Sequence, residues 1–107
     1  MSTAKDKREK LLDFIDKKAF NVILKTSPDK FNGKDKEKFE EILKKTQNEK
    51  NKFHESYKTA REVKENFLAN THSKPAQKLN KELEHLKLPT LPEIKDEFEE
   101  LCKKLDV

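Results

Sequence analysis

A single glycine, Gly33, occurs in 107 residues. Sheet proteins turn repeatedly through positive-φ positions, which glycine supplies, and fill their strands with β-branched and aromatic residues. This chain is rich instead in Lys, Glu and Leu, residues that enter a helix at little conformational cost. The expectation is an all-α fold. A chain of this length makes one domain, residues 1–107, built as a small bundle of four to six helices. Residues 1–4 are expected to be disordered.

The core has to be thin. Charged residues make up 43% of the chain, a level that raises the question of disorder. Leu, Ile, Val and Phe nevertheless account for 26 of the 107 residues, above the roughly 20% at which disorder becomes the default. Acidic and basic residues are also interleaved, which suits helices with solvated faces better than a self-repelling coil.

Apolar spacing places the helices. The first begins near Ala4 and carries Leu12, Ile15, Ala19 and Val22 on one face, widened by Leu11, Phe14 and Ile23. Residues 13–33 admit three readings. One helix runs to Lys25, or it breaks around Asp16–Lys18 and restarts at Asn21 as N-cap, or 19–24 is a short strand. Ser27-Pro28 ends the segment, because a residue before proline is pushed out of the helical region. A loop over 26–33 closes on Asn32-Gly33. The longest helix, Lys34 to His54, shows Phe39, Ile42, Leu43, Thr46 and Phe53. Thr59-Ala-Arg-Glu62 has the form of a capping box opening a helix over 60–70. After a short break, Ser73 caps a helix over 74–86, with Pro75 in its first turn.

That helix shows Ala76, Leu79, Leu83 and Leu86. A Leu88-Pro89 corner leads to Thr90-Leu-Pro-Glu93, a second capping-box pattern, and to a helix over 91–105 with Leu91, Ile94, Phe98, Leu101 and Leu105. Two such stripes joined by a short proline-bounded link predict a C-terminal antiparallel hairpin of 74–86 and 91–105. The stripes are too short for a long coiled coil, so a monomer is expected, with a homodimer as the alternative if a partner completes the thin core.

The chemistry-bearing residues are sparse. Cys102 is the only cysteine, which fits a reducing compartment; beside Leu101 it reads as a small residue at the edge of a core rather than a nucleophile. Glu82-x-x-His85 is half of the pattern that di-iron bundles use twice, and no second copy accompanies it. Carboxylate pairs such as Glu40/Glu41 lie among lysines and read as solvated surface. One glycine cannot build a phosphate-cradling loop. The expectations are no enzyme activity, no cofactor and no metal. The charged N-terminal stretch leads into no apolar signal-peptide core, and no segment is long enough to span a bilayer. No membrane association and a cytoplasmic location are expected.

Two binding functions remain. The formal charge is +4, but residues 88–107 are acidic and the rest basic. An acidic terminal helix carrying Glu93, Asp96, Glu97, Glu99 and Glu100 either packs against the basic body or steers a charged partner. The expected function is a protein-interaction or regulatory module, its partner another protein. The alternative is weak, Lys-mediated DNA or RNA binding. Two short helices over 60–86 have a helix-turn-helix outline, and Lys74, Gln77, Lys78 and Lys81 occupy the outer side of the second. Arginine, which grips phosphate bidentately, is represented only by Arg8 and Arg61, and this weighs against that alternative.

Overall fold

A computed structural model describes residues 3–107, and every regular element in it is helical. The expected disorder of residues 1–4 falls in part on residues 1 and 2, which lie outside the described residues. Thr3 and Ala4 are ordered into a helix start. The Thr3 hydroxyl accepts from the Asp6 amide at 3.1 Å while the Asp6 carboxylate accepts from the Thr3 amide at 3.3 Å. This is a full capping box with Asp in the place usually held by Glu or Gln.

Six α-helices follow: α1 (Ala4–Ile15), α2 (Asn21–Lys25), α3 (Gly33–Glu55), α4 (Ala60–His72), α5 (Lys74–His85) and α6 (Lys95–Lys104). A π-helical turn, Asp16–Phe20, joins α1 to α2 without leaving the helical region. Residues 4–25 are therefore one rod, neither broken nor partly strand. Asn21 is a helical residue and not an N-cap; its side chain accepts from Lys50 Nζ at 2.6 Å. The wider π turn delays the helix by a fraction of a turn. Phe20 and Ile23 consequently face inward, while Val22, expected in the stripe, is 43% exposed.

The apolar residues form two cores. The first gathers Leu11, Leu12 and Ile15 of α1, Phe53 of α3, Val63 and Phe67 of α4, and Phe98 and Cys102 of α6. Its centre is the stacked pair Phe67–Phe98, with ring centroids 3.9 Å apart. The second gathers Ile23, Phe39, Ile42, Leu83, Leu86 and Leu88. α3 spans both, since its 23 residues make a rod about 34 Å long at 1.5 Å per residue. The molecule is accordingly elongated, 50 × 21 × 19 Å.

The two-core plan divides the stripes of the expected hairpin. Helices occupy both predicted segments, but α5 buries its stripe in the second core and α6 buries its own in the first. The link between them crosses from one core to the other, Leu88 lying in the second and Leu91 against the first. Thr90 rides inside that crossing, 1% exposed, with its hydroxyl unpartnered. The predicted Thr90–Glu93 capping box is therefore absent. A 3-10 turn, Pro92–Ile94, leads instead into α6 at Lys95. At Thr59 only half of the predicted box forms: the hydroxyl accepts from the Glu62 amide at 3.1 Å and donates to the Glu62 carboxylate at 3.3 Å.

Gly33 takes the left-handed conformation expected of it, at φ +57°. Two further left-handed residues are not glycine: Lys87 at φ 60° and Asp106 at φ 57°. Each closes a helix in a Schellman motif. The amides of Lys87 and Leu88 donate to Glu84 and Leu83, and those of Asp106 and Val107 donate to Lys103 and Cys102.

Candidate functional sites on helices five and six

The four residues singled out for nucleic-acid contact share one side of α5. Its apolar side holds Leu79, Leu83 and Leu86, so residues half a turn away face solvent; Lys74, Gln77, Lys78 and Lys81 are all exposed. Gln77 is engaged, donating from Nε2 to the His72 carbonyl at 3.0 Å. Among the described residues Lys74, Lys78 and Lys81 take part in no ion pair. They are not joined by Lys38 of α3, which turns to Glu82 at 3.2 Å.

The segment 60–86 lacks the geometry of a helix-turn-helix. The predicted break over 70–73 shrinks to one residue, because α4 continues to His72. Ser73 is at once the C-cap of α4 and the N-cap of α5, its hydroxyl accepting from the Ala76 amide at 3.3 Å. A DNA-reading pair packs its two helices on each other across a turn of three or four residues. Here α4 and α5 bury their apolar faces in different cores.

The acidic helix is fastened by apolar contact. Phe98, Cys102 and Leu105 are buried, and one ion pair, Lys18–Glu97 at 3.6 Å, ties an α6 carboxylate to the body. The pairs Lys95–Glu99 and Lys103–Glu100, both at 3.8 Å, lie within the helix itself. Glu93 and Asp96 are exposed and enter no ion pair among the described residues. The acidic row thus faces solvent on a rigidly held support.

Cys102 is 1% exposed. Burial pushes its thiol pKa up; the Lys64 ammonium pulls against this, and the nearby Glu99 carboxylate adds to the rise. Glu82 and His85 turn to separate partners, Lys38 and Asp35, each at 3.2 Å. No group of three or more metal-ligating side chains occurs among the described residues.

A feature the spacing did not single out is a cleft of about 370 Å³ at the seam of the two cores. Its walls come from the π turn, the middle of α3, the first half of α5, and the Pro89–Leu91 crossing. Asn80 lines it, 8% exposed, with Nδ2 buried and unpartnered. The signal was present in the sequence: Asn80 stands four residues after Ala76 and three before Leu83, a polar residue in core register.

Compared with protein-family models, curated proteins and solved structures, the chain matches none.

Proposed function

We propose that this protein is a non-enzymatic interaction or regulatory module of the cytoplasm, binding another protein that presents a basic surface to the acidic face of α6. The observation that carries this reading is the way α6 is attached. Its grip on the body is mainly apolar, through Phe98 stacked on Phe67, with Glu97 alone of its carboxylates paired to the body, at Lys18. Glu93 and Asp96, exposed and in no ion pair among the described residues, leave negative charge that attracts basic partners and sets their orientation more than it adds affinity. No helix among the described residues is long and apolar enough to cross a membrane.

The test is capture of partners from the source cell by the wild type and by a Glu93→Lys/Asp96→Lys variant, with and without nuclease. Both positions are exposed, so the variant is expected to fold. A nuclease-resistant partner lost on charge reversal and released by salt is the expected result. A partner retained equally by both forms overturns the proposal.

The second reading, nucleic-acid binding through Lys74, Lys78 and Lys81, is favoured by their exposure and lack of acidic partners. Three phosphate contacts would give a log–log salt slope of about −2.7 on duplex DNA. A mobility shift at low salt that vanishes in a Lys74→Glu/Lys78→Glu/Lys81→Glu variant would establish it. Protein binding is preferred because the row holds no arginine and the acidic α6 face repels a phosphate backbone.

A further inference from the structure

We infer that Asn32-Gly33 is a site of spontaneous covalent modification, converting to aspartyl and isoaspartyl forms at the entry to α3. The inference uses none of the residues of the acidic-face reading and stands apart from it.

The reaction needs only water as co-reactant. The Gly33 backbone nitrogen gives up its proton and attacks Cγ of Asn32. An N–Cγ bond forms, the Cγ–Nδ2 bond breaks, and the side-chain nitrogen takes up a proton and leaves as ammonia. The product is a five-membered imide, and water then opens it at either carbonyl. One opening restores the ordinary main chain with aspartate at position 32. The other runs the main chain through the former side chain, as isoaspartate. Nothing is oxidised or reduced.

Three conditions govern the first step: a free nucleophile, a peptide plane able to turn, and room for the ring. The structure meets them at Asn32 and withholds them from the six other asparagines. Asn21, Asn48, Asn51, Asn66, Asn70 and Asn80 lie within helices, where the amide that follows is locked in an i→i−4 hydrogen bond. The side chains of Asn21, Asn51, Asn66 and Asn70 are also engaged in hydrogen bonds. Asn32, by contrast, is exposed and extended, at φ −124° and ψ 151°, and makes no side-chain capping bond. Gly33 opens α3, so its amide has no carbonyl behind it in the helix to bond. Closing the ring turns the peptide plane between the two residues. That turn costs one bond, from the Asp35 amide to the Asn32 carbonyl at 3.2 Å. Glycine follows the turn freely, because no Cβ restricts its φ. Even a Cβ added at Gly33 would meet no atom within 4 Å, so the imide has space.

The two products differ in what they do to the fold. Each adds one negative charge to a chain of formal charge +4. Aspartate keeps the main chain and remains a good N-cap residue. Isoaspartate inserts a methylene into the link between Phe31 and α3. Phe31 is seated on Phe39, ring centroids 4.7 Å apart, against the second core. The longer link no longer matches the span between that seat and the first turn of α3, and so it loosens the entry to the helix.

The experiment incubates the folded full chain in mildly alkaline buffer at physiological temperature. Conversion is mapped by peptide mass spectrometry with electron-transfer fragmentation, which distinguishes the two products. Wild type, Gly33→Ala and Asn32→Ser are compared, with the wild type in guanidinium chloride as the unfolded reference. The expected result is conversion at Asn32 before any other asparagine, at a rate within a few-fold of the unfolded chain's. Gly33→Ala should slow it by an order of magnitude or more. Alanine is strained at φ +57°, so circular dichroism checks that this variant folds. Asn32→Ser keeps a competent N-cap and should show no conversion in that peptide. The isoaspartyl fraction, separated by chromatography, should melt several degrees below the unmodified chain, and Asn32→Asp should not. Survival of Asn32 in the folded chain while the unfolded chain converts overturns the proposal. Earlier conversion at a helical asparagine, an undiminished rate in folded Gly33→Ala, or an isoaspartyl form as stable as the unmodified chain does so too.

Discussion

Arg8 donates from Nε to the Tyr57 carbonyl at 2.7 Å, across 49 residues of sequence. The same guanidinium reaches the His54 carbonyl through Nη2 at 2.6 Å. Together these bonds close the C-terminal end of α3, where backbone carbonyls lack intrahelical partners and the helix dipole favours a cation. One of only two arginines in the chain is thus spent on fastening α1 to the far end of α3.

Arg8→Ala is expected to lower the unfolding free energy by about 1.5–3 kcal/mol, the range for hydrogen bonds to a charged group. Arg8→Lys should recover only part of it, since an ammonium lacks the planar fork that spans two carbonyls. Urea denaturation followed by circular dichroism measures both.

Phe98→Ala removes the ring stacked on Phe67 at 3.9 Å and leaves a cavity in the first core. The expected loss is about 3–5 kcal/mol, a large share of the roughly 5–15 kcal/mol available to a whole domain. Chemical denaturation should place the variant's midpoint far below that of the wild type. A loss under about 1 kcal/mol would mean that the pair is not central to the core.

Thr90→Val is expected to raise stability, by about 1 kcal/mol. The hydroxyl is buried without a partner, so a methyl group of similar volume removes a desolvation penalty and forfeits no hydrogen bond. A higher Tm for the variant checks the sign.

Lys87→Gly should also stabilise, by about 1 kcal/mol. Lys87 sits at φ 60°, where a Cβ crowds the following carbonyl and glycine meets no such penalty. A control at exposed Lys81, in the interior of α5, should go the other way, because glycine there costs about 1 kcal/mol of helix propensity. Thermal melts of the two variants separate the effects.

Cys102 is expected to resist alkylation in the native protein and to react freely once the chain is unfolded. Burial both shields the thiol and raises its pKa, so less thiolate is present at any given pH. The folded state holds this proton where the unfolded state has lost it. This contribution to stability is complete below the unfolded thiol's pKa and declines as pH rises beyond it. Iodoacetamide trapping with and without denaturant, across pH 7–10, reads the difference.

Local pattern made the helices legible: α3, α5 and α6 stand close to where apolar spacing puts them, and Ser73 caps as its residue type suggests. What was not legible has a common cause. A stripe shows which side of a helix is buried and says nothing of what buries it. The stripes of α5 and α6 look made for each other, yet they enter different cores, the Leu88–Leu91 link carrying the chain from the second core to the first. The same crossing draws Thr90 inside and undoes a capping box that its residue pattern predicts. Likewise the π turn at Asp16–Phe20 rotates Phe20 inward and Val22 outward, an adjustment that a rod serving two cores requires and a 3.6-residue period does not contain. The charged rows were readable as solvent faces; the cleft was not, apart from the anomaly of Asn80, since a gap exists only between elements. By itself, then, the sequence determined that this chain is helical and where most of its helices begin and end, because periodicity and end-capping act within a few residues. Only the tertiary structure decided which faces meet, that there are two cores rather than one, and where space is left between them, because those outcomes depend on contacts between residues far apart in the chain.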